Sequence, residues 1–472
     1  MTRTITIDPI TRIEGHARIT LYLDDTGHVA DANLHVTQLR GFEKLSQGRP
    51  FREMPALTAR ICGICPVSHL LASSKACDEL LAVRIPPTAE MLRRLLNYAQ
   101  MVQSHALSFF YLSSPDLLLG MDASSKTRNI VGVIQVAPEL ARQGIRLRQF
   151  GQHLIKGLGG KRIHNAWVVP GGVSEPLNPD TRQTTLLAIP EMLNIIRNTL
   201  DIFRTMLPNF VDEIEVFANF PTMYMSLIAP DDTLEYYDGE LRIVDENGKT
   251  INNISSEAYN TFIGEASEDF SYLKSPYYLP MGYPNGMYRV GALARLHVAK
   301  RCGTPLADAE LEIFKQIPLT ERHSSFHYHY ARLIEILHGL ERIQDILNDP
   351  DVLDHRIRAH AEPNSNEGIG IIEAPRGTLI HHYHIDDNGL ITDMNLIVAT
   401  GHNVLAMNRG IKQVAERFVD GNQLTEGMLN RVEAVIRAFD PCLSCATHAI
   451  GQMPLHIQLL NQVGEVVNEV RR

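Results

Sequence analysis

TAEMLRRLLNYAQMVQSHALSFFYL, residues 88–112, carries a long apolar stripe at helical spacing, and its length decides the fold class. PELARQGIRLRQFGQHLIKGL (138–158) and IPEMLNIIRNTLDIFRTMLPNFVDEIEVF (189–217) repeat the pattern, so the spacing predicts a core bundle of long helices. Toward the N-terminus, Pro66 and Ser68 open a further helix through Leu81, which Ile85-Pro86-Pro87 ends. Residues 3–40 read as β, in the runs ITI, ARITLYL and ANLHVTQL with a hairpin signal at Asp24–Gly27. Residues 220–300 change character. They hold an Asn247-Gly248 turn and a stretch rich in Tyr, Pro and Gly, and read as an irregular β insertion on the bundle. Helix returns at 329–347. A second β segment then runs through IGIIEAPRGTLIHHYHI and ITDMNLIVAT around the turn Asp387-Asn388-Gly389. A last helix, 424–439, stops at Asp440-Pro441, because proline disfavours helix in the residue before it. The expected class is α+β, a helical core with peripheral β segments.

The 472 residues can bury a large core, and their 44% hydrophobic and 21% charged content is that of an ordinary globular chain. A net charge of −10 and the lack of a Lys/Arg block argue against a nucleic-acid partner. No apolar run is long enough to cross a membrane, and MTRTITIDPITRIEGH alternates like a strand without a signal-peptide core. The expectation is a cytoplasmic chain that is not a membrane protein.

Six cysteines are too few for a disulfide scaffold of this length. Four of them form two CxxC pairs at opposite ends, Cys62 and Cys65 in RICGICPVSH (60–69) and Cys442 and Cys445 in DPCLSCATH (440–448). Four thiolates exclude magnesium and calcium and suit zinc, iron or nickel. Structural zinc is the plain alternative. Its pairs usually lie about 15–20 residues apart in one small module, whereas this chain has ample core without a metal. Arg60 and His69 flank the first pair, and Asp440 and His448 the second, in the manner of residues that orient metal-bound thiolates. Cys77 and Cys302 read as core or surface thiols. His327 and His329, and His381, His382 and His384, have HxH spacing, which on a strand puts two rings on one face that can bind metal, although most such histidines are structural. No P-loop or dinucleotide fingerprint is present, so NAD is expected on another chain.

RxCGxCxxxH near the N-terminus and DPCxxCxxH near the C-terminus are both complete. RIEGH (12–16), RGFEKLSQGRP (40–50) and EAPRGTLIHH (373–382) accompany them. On these residues the chain resembles the large subunit of [NiFe]-hydrogenases from about residue 8 to its end. ARICGICPVSHLL, QSHALSFFYLSSPD, GIRLRQFGQ and SSFHYHYARLIEIL make it similar to the cytoplasmic, bidirectional, NAD-reducing group in particular. The resemblance implies reversible heterolytic cleavage of dihydrogen. It implies that Cys62 and Cys442 bind nickel terminally, and that Cys65 and Cys445 bridge nickel to an iron carrying carbon monoxide and cyanide. Such a cluster is a buried anion and needs donors. The resemblance supplies them as Arg376 over the iron, Thr400 to a cyanide and His69 to a bridging sulfur, with Asp440 beside the second pair. Arg376 could otherwise make a surface salt bridge. The first proton acceptor is Cys442 or Arg376, and the normally protonated guanidinium favours Cys442. Glu14, read as lying on an early strand where it could simply face solvent, is implied to pass protons to and from the nickel-bound cysteine. Glu43, the main-chain carbonyl of Leu396 and His448 are implied to hold a structural magnesium ion.

The resemblance divides the chain into a catalytic domain, 1–448, including the β-rich insertion, and a C-terminal extension, 449–472. An endopeptidase is implied to cut after His448 once the metals are in place. The bland alternative is an ordinary C-terminal element in which HIQLLNQVGEVV pairs as β. No cysteine set remains for an electron wire, so an iron–sulfur small subunit is expected, followed by diaphorase subunits with FMN, iron–sulfur clusters and NAD. Two rival readings are a zinc-bearing scaffold and a quinone-site subunit of respiratory complex I. The second shares this ancestry but lacks the cysteines.

Overall fold

Proline opens the long helices Pro66–Leu80, Pro87–Leu107, Pro138–Gly159 and Pro179–Met206, at the position where its missing N–H costs no hydrogen bond. A computed structural model of the chain describes residues 3–447, 456–460 and 466–471. In it these helices pack against one another and around Tyr328–Asn348, which is buried on nearly every side. This is the helical core that the apolar stripes predict. The 189–217 stripe covers only part of its helix. The helix starts at Pro179, where the Asn178 side chain caps the Asp180 N–H at 2.7 Å. Its first turns are largely exposed and so carry no continuous stripe, and Pro190 sits inside it on the solvent side. Helices Pro305–Lys315 and Val404–Phe418 were not anticipated; the latter packs on the strand Val29–His35 and on the helix Glu426–Phe439.

The N-terminal strands Arg3–Ile7, Arg18–Leu23 and Val29–His35 form an antiparallel meander. Glu367–Ala374, Gly377–Ile385 and Ile391–Ile397 form a second one, with Pro375-Arg376 at the tip of its first hairpin. Residues 220–300 are more ordered than the sequence suggests. Met223–Ile228, Glu240–Val244 and Thr250–Ile254, with a short parallel strand Tyr288–Arg289, make a four-stranded sheet. Met225, Leu227 and Ile243 of that sheet share a second core with Ile369, Ile371, Ile380 and Ile397. The stretch therefore packs on the Arg376 sheet rather than simply on the bundle. His456–Leu460 and Val466–Arg471 pair antiparallel with each other.

Glu373 ties the layers together without a metal. Its Oε1 accepts from the Leu227 N–H at 3.0 Å and the Thr378 hydroxyl at 2.7 Å, and its Oε2 from Arg295 at 2.6 Å. Arg295 also makes a two-point contact with Glu335, at 2.5 and 2.7 Å, and Glu335 reaches His105 at 2.8 Å. Burial raises the Glu373 carboxyl. Glu335 is held well below the usual range, because the Arg295 guanidinium and His105 outweigh its own burial.

Backbone contact sets the distance between the first cysteine pair and Arg376. A Cβ on Gly370 would lie 1.9 Å from the Ala72 carbonyl, and one on Gly368 2.3 Å from that of Ala76. The Pro66–Leu80 helix thus rests directly on the Glu367–Ala374 strand. Gly370→Ala should destabilise the chain by about 1–3 kcal/mol through overpacking. Gly41→Ala, which meets nothing within 4 Å, should not. Thermal denaturation of both variants checks this.

Candidate metal centre

Both cysteine pairs sit where a helix begins. Cys65 precedes the first turn of Pro66–Leu80, and Cys442 that of the short helix Leu443–Ala446. The fold brings the four sulfurs together across 380 residues. Cys62 Sγ lies 3.3 Å from Cys442 Sγ, Cys65 Sγ 3.4 Å from Cys445 Sγ, and Cys442 Sγ 2.8 Å from Cys445 Sγ. All four lie within 4.8 Å of one another, none is more than 6% exposed, and none is in a disulfide. Burial pushes the Cys442 and Cys445 thiols well up. Cys62 is pushed down by hydrogen bonds from the neighbouring thiols and from the Cys65 N–H. Such a cluster cannot carry four negative charges by itself. A cation that displaces the protons removes the conflict, and soft sulfur donors select a transition metal. Among the described residues, Cys77 and Cys302 lie outside this group and are buried in the core.

A small cavity of about 10 Å³, room for roughly one water-sized group, opens against Cys65, Cys442 and Cys445. Its walls are largely apolar, with Ala374, Pro375, Leu379, Val398 and Ala399, and Arg376, Thr400, Ser68 and His69 supply the polar groups. Arg376 is buried rather than on the surface. Its Nε donates to the Asp440 carbonyl at 2.6 Å, and its guanidinium pairs with the Asp440 carboxylate at 3.1 Å. Burial alone would lower this guanidinium, but Asp440 and the thiolates of Cys442, Cys65 and Cys62 raise it well above its usual value. It stays protonated. Asp440 adopts a left-handed backbone, φ 55°, and so turns the chain from the Glu426–Phe439 helix into Cys442. Thr400 Oγ1 accepts from the Cys442 N–H at 3.0 Å, which leaves its own hydroxyl hydrogen for another acceptor. His69 Nδ1 faces His381 Nε2 at 3.1 Å, and burial lowers His69 to about 4, so the ring is neutral.

Glu14 does not lie on a strand. It sits in the connector between Arg3–Ile7 and Arg18–Leu23 and forms a single parallel bridge with Cys442. Its carbonyl accepts from the Leu443 N–H at 3.2 Å, and its Oε2 from the Ser444 N–H at 3.0 Å. The second cysteine loop therefore fixes the carboxylate, which reaches partly into solvent. An ion cluster that the sequence reading missed holds this connector. Asp116 binds Arg12 at 2.5 Å, Asn430 at 3.1 Å and Arg437, while Glu433 binds Arg437 at 2.6 Å and Thr11 at 2.6 Å. The only signal was a charged residue inside an apolar stripe.

Glu43 is 3% exposed. Its Oε1 accepts from the Leu396 N–H at 2.9 Å, and its Oε2 has no partner among the described residues. Burial raises it to about 7. The Thr447 carbonyl accepts from the Arg40 N–H at 3.0 Å, which brings the end of the second cysteine motif beside the Glu43 segment. His448 lies outside the described residues.

The nickel-dependent hydrogenase family profile matches residues 40–135 and 217–448, and a HoxL-like profile matches 4–39. The NAD-reducing hydrogenase HoxS subunit beta of Cupriavidus necator is 42% identical over the full length of both chains. The vhu F420-non-reducing hydrogenase chain of Methanococcus voltae is also 42% identical, over 89% of this chain and 99% of its own. The crystal structure of an NAD+-reducing [NiFe]-hydrogenase in the H2-reduced state superposes with a TM-score of 0.92 at 45% identity, covering 94% of this chain and 99% of that one.

Asp116→Ala leaves the buried Arg437 guanidinium and the half-buried Arg12 without their shared carboxylate. The expected loss is about 3–5 kcal/mol, read by denaturant unfolding. Weaker retention of metal by the purified chain, read by elemental analysis, should accompany it.

Proposed function

The chain belongs to the nickel-dependent hydrogenases, a family of enzymes that cleave H2, and on that premise we propose how its residues perform the reaction. The observation that carries the reading is the convergence of four buried sulfurs, three of them lining a cavity that also holds Arg376. Cys62, Cys65, Cys442 and Cys445 hold the nickel–iron centre. When bound, that centre supplies the Lewis acidity that polarises dihydrogen and accepts its electrons. Cys65 and Cys445 would serve as the bridging thiolates and Cys62 and Cys442 as the terminal nickel ligands, the division that the family resemblance implies. The cavity lining would face the carbon monoxide and cyanide that a bound iron carries. Its apolar wall suits the first, and the donors Arg376 and Thr400 suit the second. His69 donates toward a bridging sulfur through the ring nitrogen that His381 does not occupy.

Cys442 takes the first proton. Burial favours its protonated form, whereas Arg376, held charged by Asp440, has no site for a proton. Glu14, bridged to Cys442 through the backbone and reaching partly to solvent, carries the proton on. Glu43, with its unpartnered buried oxygen, the Leu396 carbonyl and His448 hold magnesium.

Electrons leave through an iron–sulfur small subunit to diaphorase subunits that use FMN and reduce NAD in the cytoplasm. The match to the NAD-reducing relative over the full length of both chains favours this acceptor, although the Methanococcus relative, named for another hydrogenase type, is equally identical over a shorter span. Residues 449–472 are a maturation extension cut away after His448. The competing reading, a permanent C-terminal element, draws on the pairing of His456–Leu460 with Val466–Arg471.

Infrared bands of carbon monoxide and cyanide, together with nickel and iron in equal amounts, are expected in the purified enzyme and should vanish in Cys65→Ser; zinc alone would end the reading. Glu14→Gln should keep the metals but lose H/D exchange by at least about a hundredfold, and an unchanged exchange rate would refute the relay. The intact mass of the active chain should correspond to residues 1–448 with or without the initiator methionine, and an active chain ending at Arg472 would remove the processing step.

A further inference from the structure

The sheet that carries Arg376 at a turn holds a second group of ligand-type side chains at its far end. Glu367 and His384 are direct cross-strand partners, and His382 lies two residues along the same face. His384 pairs in turn with Asp393 on the next strand. One candidate ligand atom from each of Glu367, His382 and His384 lies within 4.8 Å of the other two. His382 Nε2 is 2.8 Å from Glu367 Oε1, and its Nδ1 is 2.9 Å from the Tyr259 hydroxyl. The two imidazole centroids are 4.6 Å apart. His382 is buried, His384 half-buried and Glu367 exposed, so the group is framed by protein on one side and open to solvent on the other. The group is separate from the four-cysteine cluster.

We propose that Glu367, His382 and His384 form a second metal site, for a borderline divalent ion such as zinc(II). Two imidazoles and one carboxylate are a donor set that holds zinc with a position left for water. Hard ions such as magnesium prefer all-oxygen sites. The sheet fixes the spacing of the three side chains, since two are cross-strand neighbours and the third shares their face. Tyr259 completes the arrangement. Its hydroxyl donates to Nδ1 while Nε2 carries the proton. It accepts from Nδ1–H once Nε2 is given to a metal, so one contact orients the ring in both states. Binding moves the ring proton from Nε2 to Nδ1, with no net proton released, and exchanges the His382–Glu367 hydrogen bond for two metal bonds. Asp393 adds negative charge beside the ion. The ion thereby links the two strands at the open end of the hairpin whose turn carries Arg376.

The test uses the complete hydrogenase, dialysed against micromolar zinc(II) chloride and then against metal-free buffer. One more zinc per chain is expected in the wild type than in His384→Ala. Glu367→Gln and Tyr259→Phe should weaken zinc binding by roughly tenfold or more. Cobalt(II) added in place of zinc should give a visible ligand-field absorption that His384→Ala loses. H2 oxidation should be unchanged in His384→Ala and Glu367→Gln, which establishes that the fold and the cysteine centre are intact. Equal zinc retention in the wild type and His384→Ala, or no retained zinc beyond that in a His382→Ala/His384→Ala double variant, overturns the proposal.

Discussion

The pairing of Arg376 with Asp440 is the contact on which the rest of the centre depends. One guanidinium grips both the carboxylate and the main-chain carbonyl of the residue that turns the last long helix into the second cysteine loop. Both side chains are almost fully buried, so each charge offsets part of the cost of burying the other, while Asp440 Oδ2 has no partner among the described residues. It joins the tip of a β hairpin to a loop 64 residues further on. Through the Glu14–Cys442 bridge it also reaches the N-terminal connector. A protonated arginine at that point costs desolvation, and it offsets the negative charge that any thiolate-bound metal centre brings with it.

The Arg295, Glu335 and Glu373 group does the same task deeper in the chain. It fastens a helix of the bundle to the hairpin and to the adjoining sheet through side chains with no exposure. These two ion groups make the helical and β layers one body around the cavity. Neither could be read in advance. A buried charge pair has no sequence period, and its partners lie tens to hundreds of residues apart.

What was legible followed from local rules. The long stripes gave the helices, Pro66 a start, and Ile85-Pro86-Pro87 and Asp440-Pro441 stops, because these signals act within a few residues. The two CxxC pairs gave the four sulfurs that the fold gathers, the residue flanking the second pair gave Asp440, and the family resemblance pointed to Arg376 and Thr400, which lie beside the sulfurs. Other assignments slipped where tertiary contacts overrode local pattern. Glu14 left the strand because the Cys442 loop supplies its backbone partners. The 179–206 helix began earlier than its stripe because an Asn178 cap, rather than apolar packing, starts it. The 220–300 stretch looked irregular because its inner face matches a neighbouring sheet that is distant in sequence.

The glycine contact between the Pro66–Leu80 helix and the Glu367–Ala374 strand has a consequence for how such a chain can diverge. Two main chains that touch directly leave no side chain between them to swell, shrink or change rotamer. The separation of the first sulfur pair from the guanidinium is therefore insulated from the composition of the surrounding core. Drift in Leu, Ile and Val identities can alter stability while the reactive geometry stays where the two backbones put it.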